Sequence, residues 1–327
     1  MSTAPDILPW HEAIWARMQA SVQANRLGHA LLFSGPAGVG KRSFAASLTA
    51  SLLCTQPGES GQACGACNAC IQRDSGSHPD LIRVQPEEGK KEIGVAVIRA
   101  LGEKLSLSRH YQSPRVAIID PADALNTASI NALLKMVEEP PAHTHLIFIS
   151  ERPLRLAPTL RSRCQMTRFG VPEASQALGW LETQGVAEQQ AELALADGGG
   201  APLAARYWLE DEPREQSAAW RKLLAGVAQG RVLPHKAGAD VGKEHAADFL
   251  LWWQRQLQQQ LKAQLRGPAD SPKAADALVR IAEETREGRR NLEGNVAPQM
   301  VLESIFVLWW RAHRSRVLSV QSTRGNG

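Results

Sequence analysis

The sequence predicts an α/β chain, with a doubly wound parallel sheet in its first half and helices alone in its second. Three observations predict it. Short apolar runs, Ala30-Leu31-Leu32-Phe33, Val116-Ala117-Ile118-Ile119 and Leu146-Ile147-Phe148-Ile149, read as strands buried on both faces, as parallel sheets require. Segments of helical periodicity stand between them. Past Phe169 no strand pattern recurs.

Taken in order, residues 7–26 place Ile14, Trp15, Met18 and Val22 on one face of an amphipathic helix. The strand at Ala30 follows, then a Gly-rich turn and a helix to about Leu53. The segment 54–80 is loop-rich, with Gly, Ser, Asn and Pro throughout. Leu81-Ile82-Arg83-Val84 is a short strand. Residues 93–107 form a helix with Val97, Ile98, Leu101 and Leu105 along one face. The strand 115–120 ends in an acid. Asn126 or Thr127 caps a helix that runs to Glu139 and stops at Pro140-Pro141. Residues 145–150 are another buried strand, and the first domain closes as 1–169. Helices at 173–183, 188–196 and 203–209, the last two separated by Gly198-Gly199-Gly200-Ala201-Pro202, make a small helical domain over 170–210. Residues 210–215 read as a charged, Pro-containing linker. Helices at 217–227, 245–265, 274–287 and 298–313, broken once at Gly267-Pro268-Ala269-Asp270, form a third domain over 211–314. The tail 315–327 has no pattern and is expected to fray.

Composition bounds what such a chain does. With 327 residues, 43% of them hydrophobic, it can fill the cores of two or three domains. A formal net charge of +4 excludes a histone-like polycation and does not by itself argue for nucleic acid. The stretch from Met1 to Trp10 carries Asp6 and no Lys or Arg ahead of an apolar run, so a signal peptide is not expected. The run Ile305-Phe306-Val307-Leu308-Trp309-Trp310 is too short to span a bilayer. A soluble, cytoplasmic protein without a membrane partner is expected.

Gly35-Pro36-Ala37-Gly38-Val39-Gly40-Lys41-Arg42-Ser43 organises the first domain. It nearly matches the phosphate-binding loop G-x-x-x-x-G-K-[ST], and it lies between a strand and a helix, as that loop must. Gly35, Gly38 and Gly40 let backbone N–H groups curl round an anion at a helix N-terminus, and Lys41 would reach the outer phosphates. The position that should carry a hydroxyl for magnesium carries Arg42. Ser43 is one residue late, about 100° round the helix. Asp120, at the end of a buried strand, fits the second element of a nucleotide site, with a helix-capping or turn acid as the bland alternative. Where a water-activating Glu is expected next stands Pro121, and Asp123 follows too far along to reach the same water. The joint reading is a degenerate nucleotide site that does not hydrolyse, with ATP binding weak or absent.

Cys64-Gly65-Ala66-Cys67-Asn68-Ala69-Cys70 contains two successive C-x-x-C spacings, and Cys54 precedes them. Four thiolates in a turn-rich loop suit a closed, tetrahedral, structural zinc site. Three evenly spaced cysteines serve redox chemistry poorly, and a chance cluster of free thiols is the bland alternative.

These residues carry a resemblance. Gly28-His29-Ala30-Leu31-Leu32-Phe33-Ser34-Gly35-Pro36, the four cysteines, Asn131-Ala132-Leu133-Leu134-Lys135-Met136-Val137-Glu138-Glu139-Pro140-Pro141 and Ser162-Arg163-Cys164 together resemble the AAA+ subunits of the bacterial sliding-clamp loader, nearest its delta-prime branch. The resemblance covers about residues 7–210. It implies an AAA+ domain, a helical lid over 170–210 and a helical collar over 211–314. It also implies partners: gamma/tau and delta subunits in a ring, with the sliding clamp and primed DNA reached through the complex. Arg163 matches the arginine that these subunits point at a neighbour's ATP, whereas Arg161-Ser162-Arg163 alone reads as a basic loop. Ser150 ends the strand where the family places a phosphate-sensing hydroxyl. The sensor arginine of the lid is matched by Leu203, with Arg206 too late. The function implied is that of a non-hydrolysing subunit which lends Arg163 in trans. Although such a subunit belongs to a DNA polymerase III holoenzyme, polymerisation is not chemistry this chain could perform. An ATP-hydrolysing motor of the gamma/tau kind is the rival reading. A stand-alone helicase-loader or recombination AAA+ protein is a weaker one, disfavoured by the cysteines.

Overall fold

The structure, a computed structural model, describes residues 6–107, 110–266, 272–292, 294 and 296–315. The chain divides into two compact units, Met1–Gln176 and Ala177–Gly327.

In the first unit a 3-10 turn at Pro9–His11 leads into α1 (Glu12–Gln23). Then come β1 (Ala30–Ser34), α2 (Lys41–Leu53), α3 (Asn68–Asp74), β2 (Leu81–Val84) and α4 (Val95–Ser106). They are followed by β3 (Arg115–Ile119), α5 (Thr127–Glu138), β4 (Thr144–Ser150), α6 (Pro158–Arg161) and β5 (Gln165–Arg168). The five strands are parallel, in the order β2-β3-β4-β1-β5. β1 lies between β4 and β5, with Leu32 opposite Phe148 on one side and Met166 on the other. Every residue of β1 and β3 is buried, which is why both read as unbroken apolar runs. Asn126 caps α5 as expected, accepting a bond from Ser129 N at 2.9 Å.

Two elements here escape a reading by pattern. β5 is a four-residue edge strand of sequence Gln-Met-Thr-Arg with no fully buried side chain, so it lacks the apolar signature of its neighbours. α3 forms within the loop-rich segment 54–80, directly after Cys67, and turns Ala69, Cys70 and Arg73 inward.

Beneath β1 and α2 lies an aromatic bed. The rings of Phe33, Phe44 and Phe169 sit edge to face, with centroids 5.1–5.5 Å apart. His11 joins them at 5.6 Å from Phe44 and 5.0 Å from Phe169. Trp15 of α1 packs on Phe44 at 5.8 Å. The 3-10 turn and α1 therefore serve as a floor for the turn that follows β1.

The second unit is helical: α7 (Ala174–Thr183, beginning just before the unit boundary), α8 (Glu188–Asp197), α9 (Pro202–Tyr207), α10 (Asp211–Ala228) and α11 (Pro234–Val241). The last three are α12 (Ala246–Arg266), α13 (Pro272–Leu292) and α14 (Pro298–Arg314). The expected linker at 210–215 is instead the first turn of α10. Pro213 falls in that turn, where no intrahelical N–H bond is lost, and Asp211 and Glu212 suit the positive end of the helix. α11 was not expected. Its Pro and Gly content reads as loop, yet Ala237 and Val241 are buried, and a Cβ on Gly238 would lie 3.4 Å from Glu303 of α14. The Gly267-Pro268-Ala269-Asp270 break and the tail from residue 316 lie outside the described residues. One core joins Leu181, Leu195 and Trp208 with Trp220, Phe249, Trp252 and Phe306, so helices on both sides of position 210 share it. Asp197, buried at the end of α8, accepts from Trp252 Nε1 at 2.7 Å and pairs with Arg221. No described helix is long and apolar enough to cross a membrane.

Burial in the aromatic bed pushes the His11 pKa down to about 4, against the opposing hydrogen bond with the Val39 backbone. A histidine lowered in the folded state stays neutral there while the unfolded chain takes up a proton. Stability is therefore complete above pH 6.5 and falls as pH drops toward 4. Between pH 7.5 and 5 the native protein should lose about 2 kcal/mol more than the His11→Phe variant, which keeps a ring but cannot titrate. Urea unfolding of the first unit at the two pH values measures the difference.

Candidate functional site

The turn after β1, the end of β3 and the end of β4 meet at the C-terminal edge of the sheet, where parallel α/β folds bind ligands. Gly35 must be glycine because a Cβ there would stand 2.1 Å from the Phe169 carbonyl oxygen. Gly40 has φ 97°, and a Cβ there would meet Leu8 at 2.4 Å and His11 at 2.8 Å. Trp10 Nε1 donates to the Val39 carbonyl at 2.9 Å and ties the floor to the loop.

The side chains that would handle a nucleotide are engaged with the protein itself. Lys41 is buried, and its Nζ donates to the carbonyls of Gly35 and Pro36, both at 2.7 Å. Burial lowers its pKa, with the Glu151 carboxylate pulling the other way. Arg42 lies across Asp120 in a two-pronged pair, Nε to Oδ2 at 2.7 Å and Nη2 to Oδ1 at 3.1 Å. Its Nη1 is 3.7 Å from Glu151. The bond to Asp120 raises the Arg42 pKa. Thus the acid that would balance a magnesium ion is bonded through both oxygens to a fixed cation. Asp123 faces elsewhere: it accepts from Ser150 Oγ at 2.6 Å and from Glu151 N at 2.7 Å. The expected sensing hydroxyl of Ser150 is fully buried and points at that carboxylate. Glu151 had no signal in the sequence, because a single acid after a strand is unremarkable.

The four cysteines converge. The Sγ atoms of Cys54, Cys64, Cys67 and Cys70 all lie within 4.8 Å of one another. Cys54 Sγ is 3.6 Å from Cys64 Sγ and 3.9 Å from Cys67 Sγ. A tetrahedron with Zn–S bonds of about 2.3 Å has edges of roughly 3.8 Å, so the spacing fits one ion. The amides of Gln56 and Cys64 point at Cys54 Sγ, at 3.4 and 3.3 Å, and that of Cys67 at Cys64 Sγ, at 3.4 Å. Such N–H···S bonds favour thiolate. Cys54 closes α2 and Cys70 sits in α3, so an ion here would staple the loop to two helices.

Arg163 lies between α6 and β5. Its Nη1 donates to the Thr159 carbonyl at 3.0 Å, and its Nη2 pairs with Glu138 Oε1 at 2.7 Å. Arg161 turns back onto its own loop, with Nη1 donating to the Pro153 carbonyl at 3.2 Å. Leu203 and Arg206 both lie on α9, the first half-buried and the second exposed.

Residues 10–173, half of the chain, match the family described as DNA polymerase III, delta subunit. The chain belongs to this family. Among curated proteins, it is 39% identical over 216 residues to the DNA polymerase III subunit delta' of Pseudomonas aeruginosa. That match covers 65% of this chain and 64% of the relative. It is 37% identical over 198 residues to the subunit delta' of Escherichia coli K12, covering 60% and 59%. The chain thus spans less than two thirds of the length of either relative. The gamma/tau subunit of Mycobacterium bovis is 35% identical over 227 residues, 68% of this chain and 37% of that one. A DNA polymerase III gamma subunit-related protein from Thermotoga maritima has the same fold, with a TM-score of 0.50, 15% identity, and 91% and 99% of the two chains covered. In this member of the delta subunit family, the matched stretch holds the glycine-rich turn after β1, the cysteine cluster and Arg163.

The cluster makes a direct prediction. The purified protein should contain one zinc ion per chain by elemental analysis, and Cys67→Ser should lower that content. A zinc-filled site of this kind is worth on the order of 10 kcal/mol in small modules, so segment 54–80 should become protease-sensitive on chelation. Metal-free protein with these thiols oxidised in pairs would refute the assignment.

Proposed function

We propose that this chain is a non-hydrolysing subunit of a bacterial sliding-clamp loader, and that its part in catalysis is to present Arg163 to ATP bound by a neighbouring subunit. The observation that carries the first half is the Arg42–Asp120 pair. Phosphoryl transfer in phosphate-loop proteins uses a metal held by a hydroxyl and an acid, and a group that orients water. Here a guanidinium stands in the hydroxyl's position and occupies the acid. Pro121 supplies no base, and Asp123 is committed to Ser150 and Glu151. Lys41, bonded to its own loop, leaves at most weak nucleotide binding at Gly35, Gly38, Gly40 and Asp120.

The second half rests on chemistry and likeness. An arginine is always charged, planar and able to bond two phosphate oxygens at once. Arg163 is the exposed arginine of its loop, while Arg161 is turned inward. In this reading the chain stands in a ring with gamma/tau and delta subunits, reaches the sliding clamp and primed DNA through them, and works in the cytoplasm. Zinc is structural. Residues 170–210 act as lid and 211–314 as collar.

The rival reading, an ATP-hydrolysing motor, draws support from Lys41 and from the likeness to the Mycobacterium bovis gamma/tau subunit. An ATPase assay of the isolated chain separates the two. No turnover is expected, and turnover abolished by Lys41→Ala would establish the motor instead. In the complex reconstituted with partner subunits, Arg163→Ala should leave assembly intact and lower total ATP turnover in part, since only one site depends on this arginine. Arg163→Lys should restore little. Unchanged turnover and clamp loading would remove the role in trans.

A further inference from the structure

Two acids, Glu138 and Glu139, end α5 just before Pro140-Pro141. An acid at the last turn of a helix faces the negative end of the helix dipole, so neither helps α5 to form. Glu138 nevertheless reaches across to Arg163, with Nη2 to Oε1 at 2.7 Å, while Nη1 is held by the Thr159 carbonyl at 3.0 Å. The two terminal nitrogens of one guanidinium are therefore anchored by two separate elements, the end of α5 and α6. That fixes the plane of the group. Both side chains remain open to solvent, 42% for Arg163 and 49% for Glu138.

We propose that Glu138 is a positioning residue for Arg163: it holds the guanidinium extended and oriented for the phosphate of a nucleotide on the adjacent subunit. This rests on the reading of Arg163 given above and deepens it. An unanchored arginine on a surface loop samples many rotamers and must surrender that freedom when it meets a phosphate. Anchoring in advance removes the loss from the reaction. A guanidinium has five N–H groups in a rigid fork, and the two anchors leave the rest for phosphate oxygens. The carboxylate does not cancel the positive charge, because a half-exposed pair is heavily screened by water and salt. Misplacement of a reacting group by about 1 Å can cost roughly a hundredfold in rate, so orientation here is worth far more to turnover than the pair is to folding.

The test is a double-mutant cycle in the reconstituted clamp-loader complex, read as ATP turnover. Glu138→Ala should lower kcat at the affected site by about five- to tenfold with KM for ATP unchanged. Melting temperature and assembly should stay at the parent values. Glu138→Gln, which keeps a hydrogen-bond acceptor, should recover part of the loss. Glu139→Ala removes the same charge from the same helix end and should change nothing. In an Arg163→Ala background, Glu138→Ala should have no further effect. If Arg163→Ala lowers turnover but Glu138→Ala leaves it unchanged or raises it, the positioning role is wrong while the arginine's role stands. Equal losses from Glu138→Ala in both backgrounds would likewise overturn it, by showing action through another route. If Arg163→Ala itself has no effect, both readings fall together.

Discussion

The structure depends on a shortage of space. The chain leaves β1 through a turn with no room for a Cβ at either end, against the Phe169 carbonyl at Gly35 and against Leu8 and His11 at Gly40. The strand on one flank and the N-terminal 3-10 turn on the other are both held by the ring cluster of Phe33, Phe44 and Phe169. Because these rings interlock edge to face, the loop cannot drift without opening the core. The direction in which α2 starts, and with it where Lys41 and Arg42 point, follows from that confinement.

The confinement sets the shape of the glycine-rich turn between β1 and α2. The charged groups of that turn are satisfied internally, Lys41 by the turn's own carbonyls and Arg42 by Asp120. Asp123, close by, is bonded to Ser150 and to the backbone that follows it. β1, α2 and the rings beneath them need that shape, and a guanidinium is the counter-charge to Asp120 at the end of β3.

Much of this was legible from sequence because the informative patterns are local. Glycines at fixed offsets, C-x-x-C spacing, and apolar runs on buried strands each declare themselves within a few residues. Arg42 could be recognised as misplaced by its offset from Lys41. What could not be read was pairing across distance. Arg42 and Asp120 are separated by 78 positions, and nothing in either neighbourhood says they meet. Glu138 and Arg163 stand in separate motifs, and neither motif points to the other. β5 was hidden because an edge strand needs only half the burial of a central one. The start of α10 is masked because Pro213 looks like a breaker until its place in the first helical turn is known.

Asp197 has a consequence for how this architecture can be passed on. Its carboxylate is buried at the end of α8 and, among the described residues, is bonded by Trp252 and Gln256 of α12 and Arg221 of α10. Gene fragments joined near residue 210 from two different ancestors would have to supply an acid from one parent and its matching donors from the other. A mismatch would leave a buried carboxyl group without its hydrogen-bond donors. The helices on either side of that junction are thus expected to travel through recombination as a single inherited block, even where the sheet domain ahead of them is exchanged.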